Sequence, residues 1–424
     1  MNDTVPRPTA VVLGGTSPHI ALIGLLRARG WRVVLVDYLP HPPAASHADL
    51  HVQESTLDPA AVRRVAEAEG ATLVIATCVD QANVVAIEVS EAMGLPHPYP
   101  HATAALIGNK GGMKARLRDA GLPTARHVYI EDPADLARQV AGLSFPLVVK
   151  PADSNGSAGV RRADDMAALE EHLALALGIS RVGQAVVEEF VTGPELSIDC
   201  FVEAGRAKIV LVRRKFQMLG VPTDKVIQST GSIAPYPLPA EVQAGAEDVL
   251  SDLAAAFGLD NVPMLVQAFL TDAGLSLIEF SPRLSGGTGS AVTRMVSGFD
   301  AIEASLDSWL GRPVSVDLAP TGLWTMTNTV YADPGTFERV EGVEALLDDG
   351  TIARWMSYRA PGTEIGDDMS TRSRVGAFLV TAPDRAGAFA RTRAAIERLE
   401  VRDTAGRAIM RRDIFSQLDD PDDA

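Results

Sequence analysis

The chain has 424 residues, enough for roughly two to four domains of ordinary size. An apolar fraction of 46%, a charged fraction of 22% and a net charge of −16 describe an acidic globular protein and argue against general affinity for nucleic acid or anionic membrane. Two cysteines, Cys78 and Cys200, are too few for a disulfide framework or a cysteine metal site and fit a reducing compartment.

The opening MNDTVPRPTA has no basic stretch followed by a long apolar run, so no signal peptide is expected. No apolar run approaches the ~20 residues of a membrane helix, and a cytoplasmic protein is expected. Residues 10–14 are an apolar run that ends in glycines. A helical pattern follows over 19–29, then a second apolar run over 32–36 ending at Asp37. Strand, glycine turn, helix and strand make a βαβ unit. A helix over 58–69 and a buried strand over 72–76 extend it into a doubly wound α/β domain. Ligands meet such domains at the carboxyl ends of the strands, which marks residues 14–19 and 77–83, with His19 and Asp80 as candidates facing a pocket. Gly14-Gly15-Thr16-Ser17 lacks both the dinucleotide glycine pattern and the Lys-Ser/Thr ending of a phosphate loop, so it reads as a tight turn, and Asp37 is only a weak signal for a ribose-binding acid.

His97-Pro98-Tyr99-Pro100 is a rigid break, and a boundary is expected near 100–106. One helix is expected over 103–120, stopped by Gly121 and Pro123. A strand over 145–150, a loop of small residues over 153–159, a helix over 164–178 and strands over 185–190, 196–202 and 209–213 follow. A helix over 240–257 leads to a hairpin of strands 265–270 and 275–281. The last part mixes strands and helices, with a strand at 374–380 and a helix at 385–398. The expected units are 1–105, 106–190, 191–328 and 329–424. The overall class is α/β, α+β in the central part.

The hairpin turn is Thr271-Asp272-Ala273-Gly274. Centred on Ala273, it puts Gln267 opposite Glu279, and period-two alternation puts Ser281 on the same face. Amide oxygen, carboxylate and hydroxyl are hard donors of the kind Mg²⁺ accepts beside water and phosphate. The alternative is a Glu279 paired with a nearby arginine such as Arg283. Lys150 ends a strand just before the small-residue loop. Gly156 and Gly159 let backbone N–H groups approach a phosphate, Ser154 and Ser157 can add hydroxyl donors, and Lys150 adds a charge; an ordinary flexible loop is the other reading. Glu188 and Glu189 end an apolar strand before Val191, Gly193 and Glu195. A strand-to-linker hinge offers free backbone groups to an adenine edge, and Glu195 could accept from ribose hydroxyls.

In order, Asn109-Lys110 and Lys114, Gly121-Leu122-Pro123, Phe145 to Pro151, the loop to Val160, Val187 to Glu195, and Ile278-Glu279-Phe280-Ser281-Pro282-Arg283 resemble the ATP-grasp superfamily over essentially the whole length. The resemblance implies an N-terminal pre-ATP-grasp domain, an ATP-grasp fold of two α+β lobes and a small C-terminal α/β lobe. It implies that Lys114 and Lys150 hold ATP phosphates, that 154–159 is a phosphate lid, that Glu189 and Val191 contact adenine beside Glu188, and that Glu195 meets the ribose. Glu279 would be the central ligand of one or two Mg²⁺ ions, or Mn²⁺, with Gln267 and Ser281 beside it. Arg283 would stabilise the transferring phosphoryl group. Lys110 reads as a helix-surface residue.

Two departures stand out. Gln267 replaces a usual Glu, which resembles the carbamoyl-phosphate synthetase branch, and Ser281 replaces a usual Asn; both weaken the case for a second metal. The implied reaction activates a carboxylate as an acyl phosphate and joins it to an amine, as in carboxylate–amine ligases of the L-amino-acid ligase type. Bicarbonate activation and a nucleotide-binding protein without turnover are the alternatives. Substrate candidates are Arg283, Ser285, Gly286, Gly287, Arg213 and Ser232, and the partners are a small carboxylate and an amine. A homodimer is an expectation of the resemblance alone.

Overall fold

Apolar runs bounded by glycine turns build the first unit. β1 (Thr9–Leu13), β2 (Arg32–Asp37), β3 (Leu50–Gln53) and β4 (Ala71–Ile75) form a parallel sheet in the order β3-β2-β1-β4. β1 is buried along its whole length, as a parallel strand covered on both faces must be. The helices are α1 (Ser17–Ala28), α2 (Pro59–Ala68) and α3 (Asp80–Met93). β3 and α3 are elements that the sequence pattern did not mark. The computed structural model describes residues 7–154, 159–218, 228–366 and 373–415.

The single helix expected over 103–120 is two helices, α4 (His101–Gly108) and α5 (Lys110–Asp119). Asn109 leaves the helical region and caps α5, its Oδ1 accepting from the Gly112 N–H at 2.8 Å. The break matters because it reorients Lys110.

A small lobe follows: β5 (His127–Ile130), α6 (Leu136–Gln139), β6 (Leu147–Pro151), β7 (Arg161–Ala163), α7 (Met166–Ile179) and β8 (Ala185–Glu189). Its antiparallel sheet, in the order β5-β8-β6-β7, has its own core around Leu147, Val149, Leu169 and Val187.

The remaining strands form mostly one large antiparallel sheet. β9 (Glu195–Glu203), β10 (Arg206–Gln217), β11 (Ser229–Ala234), β12 (Val262–Thr271) and β13 (Gly274–Ser281) join β14 (Trp324–Tyr331), β16 (Arg354–Ser357) and β18 (Arg374–Ala382). The order is β13-β12-β9-β10-β11-β14-β18-β16. The boundary expected at 328/329 therefore falls inside β14, which bonds to β11 on one side and β18 on the other. Helices α8 (Ala240–Ala256), α9 (Gly289–Ser297) and α10 (Ala301–Trp309) cover the first part, and α12 (Arg385–Arg398) the second. Between them, β15 (Gly335–Glu341), α11 (Val343–Asp348), β17 (Glu364–Ile365) and β19 (Glu400–Asp403) complete the chain's last unit, with β15 flanked by β17 and β19. Arg29 at the end of α1 donates to Asp307 at 2.6 Å and to Glu303 at 2.7 Å on α10, tying the first unit to the large sheet. Among the described residues no helix is long and apolar enough to cross a membrane.

Candidate active site

The hairpin β12–β13 sets the floor. Even-numbered residues of β12, such as Val266 and Ala268, enter the core, so Gln267 and Phe269 face the other way. Gln267 lies opposite Glu279, as the turn predicts, but for a further reason. Thr271 pairs with Gly274, a register that by itself would set Ile278 opposite Gln267. The register shifts between Gln267 and Ala268, leaving Ile278 as an extra, bulged residue. The bulge swaps the faces of β13: Leu275, Leu277 and Phe280 go to the core, and Glu279 and Ser281 come out on the opposite side.

Two cavities meet at this floor. One, about 330 Å³, lies between the small lobe and the large sheet, with Lys114, Lys150, Glu188, Val191, Glu195 and Ile278 in its wall. The other, about 490 Å³, lies between the first unit and the hairpin, and includes Asp80, Asn83, Ile107 and Arg283. Lys110, Ser154, Gln267 and Glu279 line both.

Every cation in the first cavity has a carboxylate. Glu188, 5% exposed, lies 3.0 Å from Lys114 Nζ and also pairs with Lys150. Burial alone would raise its carboxyl, but the two ammonium groups hold it down at about 2. Its side chain thus serves the two lysines rather than the hinge. Lys114 also donates to Thr124 Oγ1 at 2.7 Å. Glu195 pairs with Lys215 and accepts from Gln217 Nε2 at 2.6 Å. Glu189 accepts from the Ser144 N–H at 2.9 Å, and Val191, Thr192 and Gly193 run along the cavity between β8 and β9.

Gly193 is at φ +134°, and a Cβ there would sit 2.1 Å from the Leu270 carbonyl oxygen. Gly193→Ala will lower stability by about 2–3 kcal/mol, read from the urea midpoint. An unchanged midpoint would free this hinge from its assigned contact.

Lys110 is not a solvated surface residue. It forms an ion pair with Glu279, and the Lys110 N–H donates to Ala152 O at 3.1 Å. Burial would raise the Glu279 carboxyl, but Lys110 and the more distant Lys150 keep it below the usual carboxylate range. Gln267 Nε2 donates to Glu279 Oε1 at 3.0 Å, and Lys215 Nζ reaches Gln267 Oε1 at 3.3 Å. Mg²⁺ binds through oxygen and keeps waters and phosphate oxygens in its shell. Glu279 and Gln267 offer that donor set side by side, so the residues fit such an ion. Among the described residues no group of three His, Cys, Asp or Glu side chains forms a closed cage, so further ligands would come from phosphate and water.

Ser281 sits elsewhere than the metal reading expects. Its Oγ donates to Asp80 Oδ1 at 2.6 Å. Asp80 also grips Arg283 in a two-point pair, with Nε to Oδ1 at 2.6 Å and Nη2 to Oδ2 at 2.7 Å. Burial would raise the Asp80 carboxyl, but Arg283 keeps it low. The geometry assigns Ser281 to the Asp80–Arg283 pair.

Of the substrate candidates only Arg283 lines either cavity, and it lines the larger one. Arg213 is buried and spends Nη2 on both Asp199 oxygens at 2.7 Å. Ser232 lies mid-strand between Lys215 and Thr327. Ser285 is buried, while Gly286 and Gly287 are exposed: Leu284 N–H donates to Thr77 O at 3.1 Å, a Cβ on Gly286 would lie 3.6 Å from Cys78 O, and one on Gly287 would meet nothing within 4 Å. Ser154 lies at the meeting point, and Gly159, at φ +76°, returns the loop to β7. Gly156 and Ser157 lie outside the described residues.

In the first unit Asp80 faces the cavity but His19 does not. His19 is fully buried, and its Nδ1 accepts from the Thr16 N–H at 3.1 Å, while Asp37 accepts from the Gly15 N–H at 2.7 Å and from Leu39. A Cβ on Gly15 would fall 2.4 Å from Pro42. This turn is closed by packing and has no room for a phosphate, and Asp37 holds the turn rather than a ribose. Burial brings the His19 imidazole down to about 4, against the raising pull of Thr16 and Asp37. Its ring-proton NMR shifts will therefore stay flat from pH 5 to 8; a midpoint near 6.5 would mean a solvated ring.

The ATP-grasp domain profile matches residues 143–292, which hold β6, the hinge and the hairpin. The chain carries an ATP-grasp domain. The L-amino acid ligase C-terminal domain 2 profile matches residues 328–403, and the overall fold is that of ATP-grasp ligases. The solved L-amino acid ligase of Bacillus licheniformis is similar over 95% of this chain and 100% of its own, with a TM-score of 0.78 and 21% identity. The uncharacterized protein y4rH of Sinorhizobium fredii is 24% identical over 74% of this chain and 64% of its own length. The phosphoribosylamine–glycine ligase of Streptomyces coelicolor is 36% identical over 36% of each chain. The chain thus spans less than two-thirds of the length of these two curated relatives. Two of these three relatives are named as ligases.

Lys110, expected on a helix surface, and Asp80, marked only by its place at the carboxyl end of β4, complete the site. Their partners Glu279 and Arg283 lie 169 and 203 residues away. The signal available for Lys110 was Asn109, a strong helix cap in the middle of an expected helix.

Proposed function

We propose that this chain uses Mg-ATP to activate a small organic carboxylate as an acyl phosphate and joins it to an amine, releasing ADP and phosphate. The observation that carries the reading is the junction of the two cavities at Glu279 and Lys110, with the lysines of the ATP-grasp domain on one side and Arg283 on the other.

In this reading ATP occupies the smaller cavity. Its adenine lies along the hinge backbone at Glu189 and Val191, its ribose by Glu195 and its phosphates between Lys114, Lys150 and the loop that starts at Ser154. Mg²⁺ on Glu279 and Gln267 would neutralise phosphate charge as the phosphoryl group moves. The acid lies in the larger cavity, and one carboxylate oxygen attacks the γ-phosphorus in line with departing ADP. Arg283 offsets the charge on the acyl phosphate. The amine then attacks the acyl carbon, and phosphate leaves. A cavity of about 490 Å³ with an apolar wall favours an organic acid over bicarbonate, the reading suggested by carboxylase-like folds.

The experiment measures ADP release with Mg-ATP against carboxylates and amines, singly and in pairs, with bicarbonate apart and hydroxylamine trapping acyl phosphate as hydroxamate. ADP release that needs an organic acid, and a hydroxamate of that acid, support the reading. ADP release with bicarbonate alone would replace it.

A further inference from the structure

Part of the smaller cavity's wall is Gln217, Met218 and Gln228, at the end of β10 and just before β11. Their side of the wall rests on the chain's last unit. Phe216 and Met218 share an apolar core with Tyr331, Phe378 and Phe415, and Met218 forms an isolated backbone bridge with Phe415. The Met218 N–H donates to Gln228 O at 2.8 Å, which ties the two segments of the wall together. Gln217 Nε2 in turn holds Glu195, so this patch adjoins the place proposed for the ribose.

Arg374, at the start of β18, lines neither cavity but grips this wall. Its Nη2 donates to Gln228 Oε1 at 2.5 Å and its Nε to Tyr331 Oη at 2.8 Å; that hydroxyl donates to Ser229 O at 3.2 Å. Gln228 is 3% exposed and Tyr331 is fully buried. A guanidinium has donors only, so the atom of Gln228 that meets it must be the amide oxygen. The amide cannot turn over without losing that bond. Its N–H end is thereby the one set to meet a ligand of the cavity, and N–H donors suit the ribose and phosphate oxygens of a nucleotide. Both partners of Arg374 are neutral, so the contact orients Gln228 without cancelling the arginine's charge.

We infer that Arg374 is a positioning residue for the nucleotide: it fixes the Gln228 amide in the wall of the smaller cavity, and through that contact the last unit sets the affinity for ATP. This rests on the reading of the smaller cavity as the ATP site, and it gives the domain matched over residues 328–403 a part in nucleotide binding.

The test is the calorimetric Kd for Mg-ATP on the full chain, with a urea midpoint for every variant. Arg374→Met and Gln228→Ala should each raise the Kd about tenfold, the scale of one lost hydrogen bond with an ionised partner. The double variant should lie within about twofold of the worse single one, because both changes remove the same contact. Arg374→Lys, which keeps a charge and a donor, should recover the Kd to within about threefold of the parent. Val375→Ala trims the same core at the next residue, so it should lower the urea midpoint while leaving the Kd within about twofold. Tyr331→Phe removes only the hydroxyl that steers Arg374 and should raise the Kd about threefold, a comparison that holds even where Arg374→Met fails to fold. A Kd unchanged in Arg374→Met or Tyr331→Phe, losses that multiply in the double variant, or an equal loss in Val375→Ala overturns the inference while ATP binding stands. A parent chain that binds no Mg-ATP overturns both.

Discussion

Glu279→Gln will lower acid-dependent ADP release by roughly 10²–10³-fold, the scale of losing one preorganised charge at a transferring phosphoryl group. The substitution keeps the shape of the side chain and one oxygen donor. It removes the carboxylate charge at the point where the two cavities join, and it leaves Lys110 without its partner. Nucleotide binding should survive far better than turnover, because Lys114, Lys150 and the hinge are untouched. The measurement is kcat beside the Kd for ATP at several Mg²⁺ concentrations. The Kd should weaken modestly and mainly where Mg²⁺ is high. Turnover within threefold of the parent would remove Glu279 from the centre of the reaction and, with it, the junction of the cavities as the place of phosphoryl transfer.

The second large effect is on stability. Glu188→Gln will destabilise the protein by about 3–5 kcal/mol, the usual cost of stripping a buried charge of its partner. Lys114 is 3% exposed and Lys150 is close behind, so both ammonium groups lose the carboxylate that neutralises them. The pH dependence has a definite sign. The Glu188 carboxyl lies at about 2 in the fold and near its ordinary 4.5 when unfolded. The unfolded chain therefore takes up the proton first as pH falls, and stability drops. The contribution, roughly 3 kcal/mol, is complete above about pH 4.5 and disappears as pH falls toward 2. Urea midpoints of parent and variant should differ most from pH 5 upward and converge below pH 4. A constant gap across that range would mean that Glu188 acts by packing rather than charge.

Much of the architecture was legible because it rests on local rules. Alternating and continuous apolar runs marked most strands of the first unit and the small lobe, and Gly and Pro marked where they stop. The facing of Gln267 and Glu279 followed from turn chemistry and a period of two. It came out at the expected register only because a bulge at Ile278 offsets a tighter turn, and nothing in the run of residues 275–281 announces that bulge. The helix expected over 103–120 failed where a single capping residue, Asn109, competed with helical periodicity and won. The expected boundary at 328/329 lies at the start of the C-terminal domain match, yet it falls within β14, which pairs on both edges and so joins the two units in one sheet, a property that no window of sequence contains.

By itself the amino-acid sequence determined the chemical inventory of this protein: the lysines, the small-residue loop, the hinge and the acid-bearing hairpin, in an order that names the fold. These follow from backbone geometry and side-chain period, which act over a few residues. The tertiary structure decided who pairs with whom. It turned Glu188 onto Lys114 and Lys150, withdrew Ser281 to Asp80, sealed Arg213 against Asp199 and brought Lys110 to Glu279. Arg213–Asp199 and Lys150–Glu188 join neighbouring strands of one sheet, whereas Ser281–Asp80, Lys110–Glu279 and Lys114–Glu188 join elements that are brought together by docking. Electrostatic energy in a poorly solvated cleft depends on distances of a few ångströms, and distances between remote segments are set by packing.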